Sequence, residues 1–270
     1  MPRATGPGGV GIHYEVHGDE GPWVVLLMGL GASSQLWMDY PSRLARHAAP
    51  YRVITIDNRG TGQSDAPPGA YWMSDMADDA ARVMDDAGAE RAYVVGVSMG
   101  GMIAQHVALR HGGRLDGLVL VSTTPGLPHG ALPTPRALWA LLAYGLGRSS
   151  RADVLADLIL ARSQRHRAAE VHGLISPILE ADGPTPAAFL RQFVGCLLHS
   201  TTRHLHRIAV PTIVVTGEDD IVIRPRNSRI LARGIPNAML EVIPQAGHGA
   251  PFTDPTVIPR ALARLGAQRR

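Results

Sequence analysis

Short apolar runs recur along the chain, and segments with helical spacing separate them. The run "WVVLLMG" is continuous, as is typical of a strand covered on both faces. "GIHYEVHG" alternates apolar and polar residues and is predicted to be an edge strand. The further predicted strands are "RVITIDN", "AYVVGVS", "LDGLVLVS", "TIVVTG" and "AMLEVIP". Strands that alternate with helices in this way predict a parallel sheet with helices on both faces.

The helices between these strands are predicted from apolar positions that repeat with helical spacing. Ser74 is a suitable N-cap for one of them, and Gly88 ends it. The predicted ranges are 34–48, 74–87, 100–111 and 254–265.

The alternation stops between residues 125 and 208. This stretch is too long for a loop and has no strand signal. It contains four segments of helical character, "PRALWALLAYGLG", "RADVLADLILARSQ", "AAEVHGLISPILEA" and "PAAFLRQFVGCLLHS". We therefore predict an α/β core formed by residues 1–124 and 209–270, with an all-helical insertion at residues 125–208.

A serine lies between glycines where a predicted strand becomes a helix. Gly96-Val97-Ser98-Met99-Gly100 fits the pattern G-x-S-x-G in the strand-turn-helix context that gives the pattern meaning. Such a sharp turn requires small neighbours, and it exposes the serine hydroxyl above the edge of the sheet. It also aims the amide of Met99 at the place where an oxyanion would form. Ser98 is therefore a candidate nucleophile.

A serine nucleophile needs a histidine base and a carboxylate that orients the histidine. "VVTGEDD" places Asp219 and Asp220 directly after a buried strand, and "PQAGHGAPF" places His248 in a loop after the next strand. Both positions are carboxyl ends of strands, where the active sites of open parallel sheets lie. The order serine, acid, histidine is the one that this architecture uses.

These motifs resemble those of the α/β-hydrolase superfamily, and of serine esterases and lactonases with a helical lid in particular. "GVSMGG", "DNRGTGQS", "GEDD" and "AGH" follow the family's order and cover nearly the whole chain outside the insertion. The resemblance implies a mostly parallel eight-stranded sheet and a lid at residues 125–208. It implies Ser98 as nucleophile, Asp220 as acid and His248 as base.

The loop after the first buried strand departs from the family pattern. Many relatives have His-Gly there, whereas this chain has Met28-Gly29-Leu30-Gly31. Because the family's oxyanion donor is a backbone amide, the resemblance still implies donors at Leu30 and Met99. The turn "DNRGTGQS" is interpreted as a structural turn and charge network, in preference to a ligand site at Asp57 or Arg59.

Large apolar side chains are candidates to line an acyl or alcohol pocket. The alternative is that most of them form the core of the insertion. The candidates are Met28, Trp37, Trp139, Tyr144, Phe189 and Phe193.

Composition removes several other classes of function. All 26 basic residues among the 270 are arginine, so lysine Schiff-base chemistry is excluded. The net charge of +3 and the scattered arginines show no basic face for nucleic acid. The one cysteine, Cys196, allows no internal disulfide and no cysteine-based metal site, and it is predicted to be a small buried side chain. No cofactor or metal is expected.

The N-terminal segment has no apolar run of signal-peptide length, and no uncharged stretch is long enough to span a membrane. We therefore expect a cytoplasmic protein without stable membrane insertion. The oligomeric state is left open.

The leading hypothesis is a serine hydrolase that acts on a small apolar carboxylic ester, including methyl esters, lactones and thioesters. A carbon–carbon bond hydrolase or a cofactor-free perhydrolase would use the same three residues. A hypothesis of another class is a small-molecule receptor with slow turnover. Because the motif has serine rather than aspartate at position 98, dehalogenase and epoxide hydrolase chemistry is disfavoured.

Overall fold

The computed structural model describes residues 2–147 and 150–268, so residues 1, 148, 149, 269 and 270 of the predicted domains lie outside it. Within these ranges, eight strands form one sheet in the order β1-β2-β4-β3-β5-β6-β7-β8. The strands are β1 (Arg3–Thr5), β2 (Gly11–His17), β3 (Trp23–Leu27), β4 (Arg52–Ile56), β5 (Ala92–Val97), β6 (Leu115–Val121), β7 (Thr212–Gly217) and β8 (Met239–Ile243).

Helices cover both faces of the sheet. The α-helices of the described residues are α1 (Tyr40–Ala45), α2 (Met73–Asp86), α3 (Met99–His111), α4 (Pro135–Leu146), α5 (Arg151–Ile159), α6 (Ala168–Asp182), α7 (Pro186–Leu198), α8 (Pro225–Gly234), α9 (Ala250–Thr253) and α10 (Val257–Ala267). None of the helices in the described ranges is long and apolar enough to cross a membrane.

Strands β3 to β8 are parallel, and β2 runs antiparallel to β4. Strand β3 shows why its apolar run is continuous. Val25 and Leu27 pack into one core cluster, whereas Val24 and Leu26 pack into a second cluster. Successive side chains point to opposite faces of a strand, so both faces of this sheet are covered. The eight-stranded, mostly parallel architecture expected from the sequence is confirmed.

The prediction that "GIHYEVHG" is the edge strand is wrong. Strand β2 pairs on its outer side with the antiparallel strand β1, which forms the edge. At three residues, Arg3–Thr5 is too short to show an alternating pattern.

Two predicted helices differ from the helices that the structure shows. Where the sequence predicts one helix at 34–48, the structure has a short 3₁₀ turn followed by α1. The two are separated because Met38 has the non-helical angles φ 51° and ψ −124°. The helix predicted at 254–265 is α10, which begins only at Val257, because Asp254 is extended, as is favoured for a residue before proline.

The four helices α4–α7 lie in the segment between β6 and β7, which are adjacent in the sheet. This segment therefore extends from the carboxyl end of β6. That end of the sheet also carries the turn after β5, the loop after β7 and the loop after β8. We call residues 125–208 the helical insertion.

Candidate active site

Ser98 lies at the turn between β5 and α3 in a strained conformation. Its angles are φ 55° and ψ −117°, which few residues other than glycine adopt. The flanking glycines are required by close contacts. A Cβ at Gly96 would lie 2.2 Å from the carbonyl oxygen of Gly100, and one at Gly100 would lie 2.1 Å from that of Leu27. The turn exposes Ser98 in part, although its neighbours are buried.

Asp220 and His248 are paired by a hydrogen bond. His248 Nδ1 lies 2.8 Å from Asp220 Oδ2, and the Asp220 side chain is 0% exposed. The other carboxylate oxygen, Oδ1, accepts hydrogen bonds from the amides of Val222 and Ile223, both at 2.8 Å. These two amides fix the direction of the carboxylate, and such donors favour a negative charge on the group that they bind. Asp219, one residue earlier, is exposed.

Glycines allow the loop that carries His248 to pack tightly against its neighbours. A Cβ at Gly217, the last residue of β7, would lie 2.3 Å from the carbonyl oxygen of Gly247. A Cβ at Gly247 would lie 2.6 Å from the Ile159 carbonyl oxygen, and the amide of Gly249 donates a hydrogen bond to that same oxygen at 2.9 Å. The end of α5 in the helical insertion therefore holds the histidine loop.

Ser98 and His248 line one cavity of about 220 Å³. Its walls come from the loops at the carboxyl end of the sheet and from the helical insertion. Most of the lining is aliphatic, and among the described residues of the lining Arg167 is the one arginine or acidic side chain. The guanidinium of Arg167 is paired with the Glu170 carboxylate by two hydrogen bonds of 3.1 and 3.2 Å. The cavity therefore suits an uncharged, apolar group.

The structure places two of the six pocket candidates, Met28 and Phe193, in the cavity lining. The assignment is corrected for the other four. Trp139 is 73% exposed on α4 and lies outside the lining. Trp37 is buried behind the wall, with its ring 5.9 Å from that of the lining residue Phe252.

Tyr144 and Phe189 also lie behind the cavity wall. The Phe189 ring stacks on Phe193 at 6.1 Å and contacts Tyr144 at 5.4 Å. Their burial therefore comes from packing within the insertion and against the loop of Gly31, which is close to the alternative interpretation of these aromatic residues.

Both candidate oxyanion donors belong to residues that line the cavity. Met99 is the first residue of α3, so its N–H has no carbonyl partner within the helix. Leu30 lies in the loop after β3, next to the turn of Ser98. A Cβ at Gly29 would lie 3.4 Å from the Ser98 Cβ and 3.8 Å from its Oγ. The loop of Leu30 and the first turn of α3 thus both lie next to Ser98.

The turn after β4 supports the neighbouring loop and does not line the cavity. Asp57 accepts hydrogen bonds from the amides of Ser34, at 2.7 Å, and Gln63, at 2.9 Å. Arg59 forms a buried, two-bond ion pair with Asp79, with both distances 2.8 Å. The structural interpretation of this turn is confirmed by these contacts.

Cys196 lines the cavity, and burial raises the pKa of its thiol to about 12. The thiol is therefore protonated near neutral pH and is a poor nucleophile. In the described part of the chain there is no cluster of three or more histidine, cysteine or acidic side chains that could hold a metal ion.

Sequence reasoning missed the aliphatic wall of the cavity and the buried side chain of Gln192. The wall uses leucines of the insertion, such as Leu141, Leu155 and Leu158, which have the same helical spacing as core residues. Gln192 contacts the loop of Leu30 from a position 161 residues away from Gly31 in sequence. Neither the cavity wall nor the contact of Gln192 can be identified without the tertiary structure.

The chain is similar in sequence and structure to proteins named as hydrolases. The family described as alpha/beta hydrolase fold matches residues 22–255. A protein of Caulobacter sp. (strain K31), named "Putative carbamate hydrolase RutD", is 33% identical over 256 residues, which cover 91% of this chain and 91% of that protein. A thermophilic esterase from Thermogutta terrifontis is 26% identical with a TM-score of 0.81, covering 99% of this chain and 98% of the esterase. The enol-lactonase from Burkholderia xenovorans LB400 shares the fold at 23% identity and a TM-score of 0.84, covering 98% and 100% of the two chains.

Proposed function

The chain belongs to the alpha/beta hydrolase fold family and is a hydrolase, and on this premise we propose that it cleaves a carboxylic ester through Ser98, His248 and Asp220. The observation that carries the proposal is the geometry around one cavity. A strained, partly exposed serine and a histidine held by a buried carboxylate at 2.8 Å line the same space.

The proposed mechanism forms and breaks an acyl-enzyme. The Ser98 hydroxyl oxygen attacks the ester carbonyl carbon while His248 takes its proton. The amides of Leu30 and Met99 hold the negative charge that develops on the carbonyl oxygen. His248 then gives the proton to the leaving alcohol, and a water molecule activated by His248 releases the acid. Asp220 keeps the imidazole oriented and stabilises its protonated form.

The composition of the cavity supports an aliphatic ester as substrate. The wall is mainly leucine, isoleucine, valine and methionine, and Phe193 and Phe252 are its aromatic members. Arg167 is already paired with Glu170, so among the described lining residues it is not a free anchor for a small charged substrate. Relatives named as carbamate hydrolases favour carbamate cleavage as the second candidate, and the apolar wall argues for the ester instead.

We further propose that the helical insertion acts as a lid on a core formed by residues 1–124 and 209–270. Helices α4 to α7 each supply residues to the cavity wall, and the end of α5 contacts the histidine loop. Selectivity for the acyl or alcohol group would then come from the insertion, while the reacting groups come from the core.

Turnover of p-nitrophenyl esters of graded chain length tests the proposed function. Each methylene that the cavity buries contributes about 0.8 kcal/mol, which raises kcat/KM by up to roughly fourfold. We therefore expect kcat/KM to rise at least about tenfold from acetate to hexanoate. Ammonia release from a simple carbamate serves as the competing assay, and a fluorophosphonate reports the reactive serine.

Other outcomes of this series favour other functions. Labelling by the fluorophosphonate with slow turnover of every ester would favour a receptor. Faster hydrolysis of carbamates than of all the esters would favour the activity in the relatives' name. Cleavage of a vinylogous diketone, with esters turned over poorly, would favour a carbon–carbon bond hydrolase.

A larger side chain in the insertion is expected to shorten the preferred acyl chain. Ile175 on α6 is buried and lines the cavity, so Ile175→Phe fills part of it. We expect kcat/KM for octanoate to fall about tenfold or more relative to acetate, since roughly two methylenes lose their contacts. Leu179→Phe is the matched control, because Leu179 is buried one turn later on the same helix and lies outside the lining. An equal chain-length preference in both variants would contradict the role of the insertion.

A further inference from the structure

Gln192 of helix α7 is buried against the loop that carries Leu30. Its side chain is 0% exposed, and both ends of its amide are bonded to backbone. Oε1 accepts a hydrogen bond from the Gly31 amide at 2.8 Å, and Nε2 donates to the Arg59 carbonyl oxygen at 2.9 Å. A buried amide with both ends paired has a fixed direction, because losing either partner would leave a polar group unsatisfied.

The peptide that carries the proposed oxyanion donor is the one between Gly29 and Leu30. Its carbonyl oxygen, on Gly29, accepts a hydrogen bond from the amide of Ala32 at 3.3 Å. Because a trans peptide is planar, the N–H of Leu30 must point in the opposite direction to that carbonyl. The direction of the donor therefore depends on how this one peptide plane is held.

The two neighbouring peptide planes are held from opposite sides. On the N-terminal side, Asn58 Nδ2 donates to the Met28 carbonyl oxygen at 3.2 Å. On the C-terminal side, the Gly31 amide donates to Gln192. The Leu30 donor thus lies between one contact from the core and one from the helical insertion.

Tyr144 of helix α4 makes a second contact with the same loop. Its hydroxyl donates to the Gly31 carbonyl oxygen at 3.2 Å, and burial raises the pKa of Tyr144 to about 12, so the donor proton is retained. Gly31 has φ +68°, and a Cβ there would lie 3.0 to 3.2 Å from Phe189, Tyr144 and Pro184. Glycine is therefore required both for the turn and for the approach of the insertion.

We propose that Gln192 and Tyr144 are positioning residues that hold the Leu30 amide in place as an oxyanion donor. This inference rests on the proposed function. It also accounts for a loop that lacks the family's His-Gly sequence, since hydrogen bonds from the insertion hold the loop instead. The helical insertion then takes part in stabilising the transition state as well as in forming the pocket.

Gln192→Met tests the proposal, because methionine has a similar volume and no amide. A displaced oxyanion donor weakens binding of the transition state more than binding of the substrate. We expect kcat on a p-nitrophenyl ester to fall about 10- to 100-fold with KM changed less than about twofold. The second-order rate of fluorophosphonate labelling should fall by a similar factor, since that reaction also places charge on an oxygen.

Thr185→Ala is the matched control for a merely structural effect. Thr185 caps the same helix by accepting a hydrogen bond from the Ala188 amide at 3.2 Å, and it does not line the cavity. This variant should lower the midpoint of thermal unfolding and leave kcat within about twofold of the wild type. A fall in kcat for Gln192→Met no larger than for Thr185→Ala overturns the proposal, as does an effect confined to KM.

Tyr144→Phe tests the positioning role if Gln192→Met does not fold, because the phenylalanine lacks the hydroxyl and keeps the packing of the ring. We expect kcat to fall about threefold or more at unchanged KM, as for loss of one modest hydrogen bond; an unchanged kcat overturns the proposal.

A wild type that does not react with fluorophosphonate at Ser98 would contradict the proposed function itself. Normal labelling of a wild type that hydrolyses esters, with no effect in these variants, overturns only the inference about the two positioning residues.

Discussion

Ser98→Ala protein is expected to fold like the wild type and to lose ester hydrolysis by on the order of a millionfold in turnover. Residues of a catalytic triad act as a unit, so removing the nucleophile removes nearly all of their joint contribution. The fold should survive because alanine keeps the Cβ and changes only the hydroxyl. The hydrogen bonds that anchor the turn use the backbone of Ser98: its amide donates to Val121, and its carbonyl oxygen accepts from the Thr123 hydroxyl at 2.7 Å.

Ser122→Ala is the matched control for Ser98→Ala. Ser122 follows the adjacent strand β6, is buried, and also has a positive φ, 46°, but it does not line the cavity. Steady-state kinetics on one activated ester, with thermal unfolding of both variants, completes the comparison. Near wild-type rates for purified Ser98→Ala would show that another group attacks the ester.

The strands of the core were predictable because burial on both faces produces continuous apolar runs. Strand β7 was placed at its observed bounds, Thr212–Gly217. Strand β1 could not be predicted, because three residues are too few to show an alternation of apolar and polar side chains. Helix α8 was also missed. Only Asn227, Ser228 and Leu231 are buried on it, so its sequence shows almost no apolar stripe.

The candidate triad could be proposed from the sequence because each of its residues lies in the turn or loop that follows a strand. The parallel sheet brings the carboxyl ends of β5, β7 and β8 to one edge, where local motifs identify Ser98, Asp220 and His248 as the candidates. The cavity wall could not be predicted, because side chains that line a cavity and those behind it share the same helical spacing. Trp139 shows the problem: its size suggested a pocket residue, and the structure exposes it.

The helical insertion holds two of the loops around the cavity. The carbonyl oxygen of Ile159 accepts from the Gly249 amide next to His248, and Gln192 accepts from the Gly31 amide next to Leu30. Under the proposed function, displacing the insertion would disturb the loops of His248 and Leu30 together. Access to the cavity would then be linked with its chemistry.

Asp220→Asn is expected to lower turnover by roughly four orders of magnitude while leaving the fold intact, by analogy with the same substitution in a serine protease triad. Asparagine has the shape of aspartate, and its amide oxygen can still accept from the amides of Val222 and Ile223. Its NH₂ group would then face His248 Nδ1 and donate to it. The imidazole proton would move to Nε2, the nitrogen that must accept the proton of Ser98, and general-base catalysis would fail.

Asp219→Asn is the matched control, since it makes the same chemical change one residue earlier. The Asp219 side chain is exposed, and its contact with the histidine loop is made by its backbone amide, which donates to Ala246 at 2.9 Å and survives the substitution. We expect this variant to keep its turnover within about twofold, as for other exposed substitutions. Kinetics of both variants on one ester decide between the adjacent carboxylates. A larger loss for Asp219→Asn would reverse the assignment, because an exposed charge would then be acting on His248 in place of the buried one.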